Sequence, residues 1–316
     1  MRARVSLSAP ARRTAAAAAT LLLGGCDRGV LDPQGPVGAA EKTLLLNATG
    51  IMLCVVVPVM IATLAVAWWF RAGNHRARYR PTWVYSGKIE LIVWSIPAMI
   101  ILLLGGVTWI ACHDLDPAKP LTSSQPAIEV QVVSLDWKWL FLYPQQGIAS
   151  VNRLVVPVGA PVHMRLTAAT VMNSFFVPQL GGQIYTMSGM VSQLNLLADR
   201  AGSYDGLSAQ FSGDGFSDMH FRYDAVPRAT FDAWIAAARA AGPALDAAGY
   251  AALARPSSRV APITYAKIDA TLFDRIATGM PIATGRPITT DRPIATVPAA
   301  PPHHHGAAHG TSNKGF

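Results

Sequence analysis

Residues 128–143 read IEVQVVSLDWKWLFLY, and this stretch decides the fold of the larger part of the chain. Its first half alternates apolar Ile128, Val130 and Val132 with polar residues, which is the period of a strand with one buried face. Its second half, residues 137–143, is rich in the aromatic residues that favour strands. The stretch therefore predicts two successive β-strands.

Short strand-forming runs separated by turn residues continue on the carboxyl side of this stretch. The turn residues include Val158-Gly159-Ala160-Pro161. Further strands are predicted at residues 153–158, 161–166, 174–177, 192–198 and 220–224. Several short strands at this spacing indicate an all-β sandwich or barrel. We assign it to residues 113–226, with the β-rich part beginning at Ala127.

The pattern becomes helical in residues 227–280. Phe231, Trp234, Ile235 and Ala238 recur at helical spacing on one face of residues 229–241. Two more short helices are predicted at residues 243–254 and 268–278. Residues 281–316 are dominated by Pro, Ala, Thr and His, which predicts a disordered tail. Its histidines can bind a metal ion adventitiously, or can simply be solvated.

Two long apolar segments precede the β-rich region, at residues 44–70 and 89–112. Each exceeds the roughly 20 helical residues that cross a bilayer. Trp residues lie near their ends, as in the aromatic belt of membrane proteins. The alternative is a pair of buried core helices, which their length disfavours.

The loop between the apolar segments, residues 71–88, fixes the predicted orientation. It holds Arg71, Arg76, Arg78, Arg80 and Lys88. An excess of Lys and Arg marks a cytoplasmic loop, so everything after residue 112 is predicted to lie outside the cytoplasm. The chain carries a formal net charge of +8, but its basic residues form no single face or stripe. The charge therefore predicts membrane topology and no nucleic-acid partner.

The first 25 residues have the features of a secretory signal: arginines, a short apolar run and small residues before Cys26. Leu23-Gly24-Gly25-Cys26 resembles the lipobox of bacterial lipoproteins, in which the cysteine is lipidated and becomes the new N-terminus. The alternative is ordinary cleavage with Cys26 incidental. Residues 26–43 are then a periplasmic segment before the first membrane helix.

Cysteine is absent from the large soluble part. The three cysteines are Cys26, Cys54 and Cys112, and none lies in residues 113–316. This part of the chain therefore cannot contain a disulfide or a thiolate metal site.

Glu90 stands at the cytoplasmic start of the second apolar segment, two residues after Lys88. Two interpretations are open. The carboxylate can simply extend to interfacial water, or it can be a proton-entry group, since carboxylates at membrane boundaries often serve ion pathways.

Taken in order, these features resemble subunit II of haem-copper terminal oxidases, in the branch that oxidises quinol. The similarity covers residues 20 to 280. The motifs that carry it are SLDWKW at residues 134–139, VMNSFFVP at 171–178, GQIY at 182–185, and the stretch from Tyr204-Asp205-Gly206 to Met219. The family implies a cupredoxin fold for residues 127–226, facing the periplasm of a bacterial inner membrane.

The resemblance also implies a lost metal centre. Copper-containing members bind two copper ions through a His before Ser-Phe and through Cys-x-Glu-x-Cys-x-x-x-His-x-x-Met, because copper in such a site needs thiolate and imidazole ligands. The corresponding positions here are Asn173, Ser208, Gln210, Ser212, Phe216 and Met219. Only the thioether remains. No cofactor is therefore expected in this chain.

By resemblance, the chain is expected to be a non-redox subunit of a proton-pumping ubiquinol oxidase. The haems and the remaining copper would lie in the catalytic subunit I, with subunits III and IV as further partners. In the family a carboxylate at the position of Glu90 lies near the mouth of a proton pathway. Trp137 and Trp139, at positions where relatives place electron-entry aromatics, are interpreted as packing residues, and Asp136 as surface or interface. Two alternatives remain: a free membrane lipoprotein that acts as a binding module, and a cytochrome c oxidase subunit II with a degenerate copper site.

Overall fold

The computed structural model describes residues 29–78 and 80–280. The predicted signal segment 1–25, Cys26 and the predicted tail 281–316 lie outside the described residues. Two long helices come first, α1 (Pro36–Trp69) and α2 (Gly87–Asp114). In α1, Pro36 occupies the first turn, where its missing N–H breaks no hydrogen bond.

Both long helices are apolar on all sides. Their mean hydropathies are 2.6 and 2.2, and none of the most apolar 18-residue window of either helix is buried. A core helix would bury this surface, so the finding favours membrane-spanning helices over the alternative. At a rise of about 1.5 Å per residue, each is long enough to cross a bilayer of about 30 Å.

The β-domain consists of two packed sheets, which confirms the predicted all-β fold. The strands of the first sheet, in spatial order, are β12 (Ile263–Tyr265), β3 (Ile148–Val151), β2 (Lys138–Tyr143), β1 (Ile128–Leu135), β5 (Val162–Ala168) and β8 (Ser192–Leu196). Those of the second are β4 (Arg153–Pro157), β10 (His220–Val226), β9 (Gly202–Ser208), β6 (Asn173–Phe176) and β7 (Ile184–Thr186). The β1–β5 and β4–β10 pairs are parallel, and the other pairs are antiparallel.

An aromatic cluster fills the space between the sheets. The Trp139 ring meets Phe175 edge-on at 5.3 Å and Phe221 at 5.7 Å, and the two phenylalanines stack at 4.9 Å. All three side chains are buried. Burying each large apolar side chain stabilises the fold by about 1.5–3 kcal/mol, so this cluster holds the two sheets together.

The outer face of the first sheet is covered by the C-terminal region. This region contains α3 (Arg228–Ala241), β11 (Ala244–Leu245), α4 (Ala247–Leu253), β13 (Lys267–Ile268) and α5 (Leu272–Ala277). Apolar residues of α4 and α5 join a second core with β1, β2 and β3. The three predicted helices are therefore present, and the last two are shorter than expected. The Asp246 side chain accepts the Gly249 N–H and caps α4 after β11, and α5 begins after Thr271.

A close-packed joint connects α1 to the β-domain. The backbone N–H groups of Gln34 and Gly38 donate to Gln179 and Leu180 carbonyls at 2.7 and 3.1 Å. A Cβ on Gly35 would lie 2.1 Å from the carbonyl oxygen of Leu197, so only glycine permits this approach. The membrane helix thus meets the domain in a fixed position.

Candidate functional site

Three of the six predicted positions of lost copper ligands meet at one end of the β-domain. Asn173 begins β6, Ser208 ends β9, and the side chains of both are buried together with that of Met219. The Ser208 hydroxyl donates to Asn173 Oδ1 at 3.0 Å, and the Ser208 backbone N–H donates to the Met219 carbonyl at 3.1 Å. A neutral hydrogen-bonded pair therefore joins two of the predicted ligand positions.

The other three positions lie on the loop between Ser208 and Met219. The Ser212 carbonyl accepts a hydrogen bond from Trp137 Nε1 at 3.1 Å. Phe216 begins a 3-10 turn and meets the Phe211 ring edge-on at 5.6 Å. Gln210 is half-buried. The structure does not bring these three side chains into the Asn173–Ser208 pair, and their contacts hold the loop in place.

Trp137 fixes the loop on the domain. Its backbone has a φ of +63°, and a Cβ on Gly215 would come within 2.4 Å of its ring. The loop therefore needs glycine where it crosses the indole. Trp139 is fully buried in the aromatic cluster. These contacts support the interpretation of both tryptophans as packing residues. Asp136 is half-buried, and its carboxylate accepts a hydrogen bond from Thr170.

The donor atoms at this end of the domain are poor ligands for copper. An amide, a hydroxyl and one thioether offer neither the thiolates nor the imidazoles that copper prefers. Across residues 29–78 and 80–280, no three His, Cys, Asp or Glu side chains form a group able to hold a metal ion. His163 is hydrogen-bonded to Asn195, and His220 is hydrogen-bonded to the Ser217 carbonyl.

Exposed apolar residues lie on the loops and strands next to the buried pair, and the sequence analysis missed them. These residues lie in the loop before β6, in β7, in the loop between β7 and β8, and in the loop after β9. All of them are at least 39% exposed. This apolar end patch comprises Val171, Met172, Tyr185, Met190, Val191 and Phe211. Pairing of β6 with β7 and a hydrogen bond from Ala209 N–H to the Ser174 carbonyl keep its parts adjacent. None of its members is charged, which is typical of a protein–protein contact surface.

Glu90 lies far from this end. It is exposed in the first turn of α2, and its backbone N–H donates to the Ser86 carbonyl at 3.0 Å. The helix is about 42 Å long at 1.5 Å per residue, so Glu90 and the β-domain lie at opposite ends of it. The proton-entry hypothesis is therefore independent of the copper-site hypothesis.

Lys138 is a buried amine whose role the sequence analysis left open. Its side chain is 1% exposed, and Nζ donates to the Asp136 carbonyl at 3.1 Å, the Arg255 carbonyl at 2.8 Å and Ser257 Oγ at 2.7 Å. Desolvation lowers the pKa of Lys138, and the nearby Asp136 carboxylate opposes that shift. A lysine inside an aromatic strand was the available sequence signal. Its three acceptors show that it ties the C-terminal region to the sheet.

Family models and curated relatives match most of the chain. The model described as cytochrome c oxidase subunit II, periplasmic domain, matches residues 130–226, and the COX aromatic rich motif matches residues 239–278. Cytochrome bo(3) ubiquinol oxidase subunit 2 of Pseudomonas aeruginosa is 48% identical over 261 residues, covering 83% of this chain and 79% of that protein. Ubiquinol oxidase subunit 2 of Acetobacter aceti is 46% identical, covering 85% and 88%.

The chain is also similar to a more distant relative and to one solved structure. Quinol oxidase subunit 2 of Bacillus cereus is 36% identical, covering 75% of this chain and 82% of that protein. The crystal structure of the periplasmic domain of cytochrome oxidase subunit II from Bradyrhizobium japonicum is 21% identical, covering 38% of this chain and 96% of that domain, with a TM-score of 0.35. The chain belongs to the cytochrome c oxidase subunit II family, in the branch of the ubiquinol oxidase subunit 2 proteins, and is a membrane-anchored oxidase subunit with a periplasmic domain.

Proposed function

We propose that this chain is the non-redox subunit II of a proton-pumping terminal oxidase that oxidises ubiquinol and reduces oxygen to water. The observation that carries the proposal is the neutral Asn173–Ser208 pair, 3.0 Å apart, at the position of the copper ligands. A domain without thiolate or imidazole ligands offers no metal to accept electrons from cytochrome c. The names of the relatives support quinol as the donor, which reaches a catalytic subunit within the membrane.

The redox centres would then belong to the catalytic subunit. No histidine lies in residues 44–70 or 89–112, so these segments offer no imidazole ligand to a haem. The haems, the remaining copper and the oxygen chemistry are assigned to subunit I, and subunits III and IV complete the complex. This chain contributes position and stability rather than electron transfer.

The apolar end patch supports a capping role. Six uncharged side chains, each at least 39% exposed, lie on the strands and loops next to the predicted ligand positions. Such a surface is costly in water and gains stability when a partner covers it. The joint at Gly35 fixes the domain relative to α1, so the patch is held at a set orientation toward a subunit in the same membrane. We propose that this surface of the β-domain contacts the periplasmic face of subunit I.

The N-terminus supplies a second attachment to the membrane. Cleavage before Cys26 and lipidation of its thiol would add acyl chains outside the two helices. The location is the bacterial inner membrane, with the β-domain in the periplasm. Mass spectrometry of the mature N-terminal peptide tests this: a diacylglycerol mass on Cys26 is expected, and an unmodified cysteine contradicts it.

Glu90 is proposed as a carboxylate at the entrance of the proton-uptake pathway. Its exposure in the first turn of α2, at the cytoplasmic end, leaves it open to protons from water. Glu90→Gln is expected to slow proton uptake while the complex still assembles. Turnover and proton pumping are measured in reconstituted vesicles, and unchanged rates would remove the hypothesis.

The first experiment is oxygen uptake by the complex purified through this subunit. Uptake is expected with ubiquinol and not with reduced cytochrome c, with haem present and no copper bound by the β-domain. Uptake with cytochrome c, together with extra copper, would favour a cytochrome c oxidase with a degenerate site. Failure to copurify with a haem subunit would favour a free lipoprotein binding module instead.

A further inference from the structure

A cavity of about 170 Å³ lies where both long helices emerge next to the β-domain. Its walls come from the start of α1, the segment after α2 and the edge of β8. Val37, Leu115, Pro117, Leu121 and Leu194 provide an apolar lining. Because these residues precede the first apolar segment and follow the second, the cavity lies at the outer membrane–water boundary.

Glu41 places a carboxylate in this apolar cavity. It is half-buried beside the Gly182 backbone N–H, and a Cβ on Gly182 would stand 2.7 Å from Glu41 Oε1. A carboxylate can accept about four hydrogen bonds, so one neighbouring N–H leaves it with capacity for a further donor. Glycine at position 182 keeps the space beside the carboxylate open.

The other charged groups in the lining are engaged locally. The Asp116 carboxylate accepts the Ala118 N–H at 2.9 Å, and Lys119 Nζ lies 3.9 Å from an oxygen of Asp114. Three carboxylates and one ammonium group therefore line the cavity, which leaves it with net negative charge. A ligand that fits must combine a positively charged donor with an apolar body.

We propose that this cavity binds the headgroup of a phospholipid that carries a primary ammonium group, such as phosphatidylethanolamine. The ammonium donates to the Glu41 carboxylate. The acyl chains then run along the apolar surfaces of α1 and α2, none of which is buried in the most apolar window. An ammonium–carboxylate hydrogen bond at a partly buried site is among the stronger polar contacts in proteins.

The chemistry of the lining favours this occupant over a quinol. A quinol ring is neutral and partitions into the hydrocarbon layer, whereas the cavity is negatively charged and lies at the water boundary. An anionic headgroup such as phosphatidylglycerol would meet three carboxylates, and like charges repel. Binding of a quinol or of phosphatidylglycerol instead of phosphatidylethanolamine would give a different result in the following experiment.

The full-length chain is purified in mild detergent and mixed with equal amounts of phosphatidylethanolamine and phosphatidylglycerol of identical acyl chains. Native mass spectrometry then counts the lipids that each chain retains. The wild type is expected to retain one phosphatidylethanolamine. Glu41→Gln is expected to lower its occupancy about tenfold, because the replacement removes the charge from the hydrogen bond and preserves the shape.

Two further variants make the result specific. Leu121→Trp fills the cavity without altering its charge and is expected to reduce retention as strongly as Glu41→Gln. Asp232→Asn removes an exposed carboxylate of α3, far along the chain, and should retain lipid like the wild type. Thermal unfolding of each variant shows that it is folded.

Equal retention by wild type and Glu41→Gln, equal retention of the two lipids, or displacement of the lipid by ubiquinol would each overturn the proposal. The measurement uses the isolated chain, so it does not depend on whether the oxidase assay succeeds.

Discussion

Two buried polar clusters in the β-domain differ in chemistry and in what they hold together. The Lys138 cluster is charged, with one amine donating to three acceptors, two of which lie 117 and 119 residues away in sequence. The Asn173–Ser208 pair is neutral and joins the ends of two neighbouring strands. The first cluster ties the C-terminal region to the sheet, and the second links β6 to β9 at the end of the sandwich where the copper ligands are predicted to be lost.

The difference teaches how a charged and a neutral buried polar group depend on their partners. Asn173 and Ser208 are uncharged, and the hydroxyl of one satisfies the amide oxygen of the other without any further ligand. No neighbouring group replaces the Lys138 amine as a donor. Its removal takes the hydrogen bond away from three acceptors, including the carbonyl of Arg255. We therefore expect the two clusters to respond very differently to substitution.

The largest effect is expected from Lys138→Met, which keeps the length of the side chain and removes its donors. Loss of three hydrogen bonds from a charged, buried donor should lower the free energy of unfolding by about 3 kcal/mol. Tryptophan fluorescence follows unfolding of the full chain in detergent. Lys267→Met, at an exposed lysine of β13, is the matched control. An equal, small loss in both variants would contradict the assigned role of Lys138.

A smaller effect is expected from Ser208→Ala. Asn173 Oδ1 then loses its donor inside the domain, which should cost about 1 kcal/mol. The pair is best measured by a double-mutant cycle with Asn173→Ala, in which the two losses should not add. Ser217→Ala, at an exposed serine of the nearby 3-10 turn, should be neutral. Additive losses would show that the hydroxyl and the amide act independently.

The smallest effect is expected from Asp274→Asn, at a charged contact that also holds the C-terminal region. Arg165 Nη2 and Asp274 Oδ1 are 3.1 Å apart, but the side chains are 40% and 57% exposed. An exposed ion pair contributes less than about 1 kcal/mol, and salt screens it. Denaturation at low and high salt should show a difference between Asp274→Asn and the wild type that disappears at high salt. A loss as large as that of Lys138→Met would overturn the distinction between buried and exposed charge.

The strands that were predicted and those that were missed show where sequence patterns fail. Residues 128–135 alternate clearly and form β1. Gly202–Ser208 reads GSYDGLS, which carries little strand propensity, yet it forms β9. A Cβ on Gly206 would lie 2.1 Å from the Phe221 ring. The glycine that weakens the local pattern is required by a residue on the neighbouring strand, which no local pattern reveals.

The sequence by itself determined the two apolar helices, the β-rich domain and the helical C-terminal region, and the absence of cysteine from residues 113–316. These features depend on hydrophobic period, segment length and residue type, which are local properties. Only the tertiary structure decided that Asn173 and Ser208 are hydrogen-bonded, that Lys138 binds residues 255 and 257, and that Glu41 faces a cavity. Each of these depends on contacts between residues far apart in the chain, and such contacts exist only after the sheets have packed.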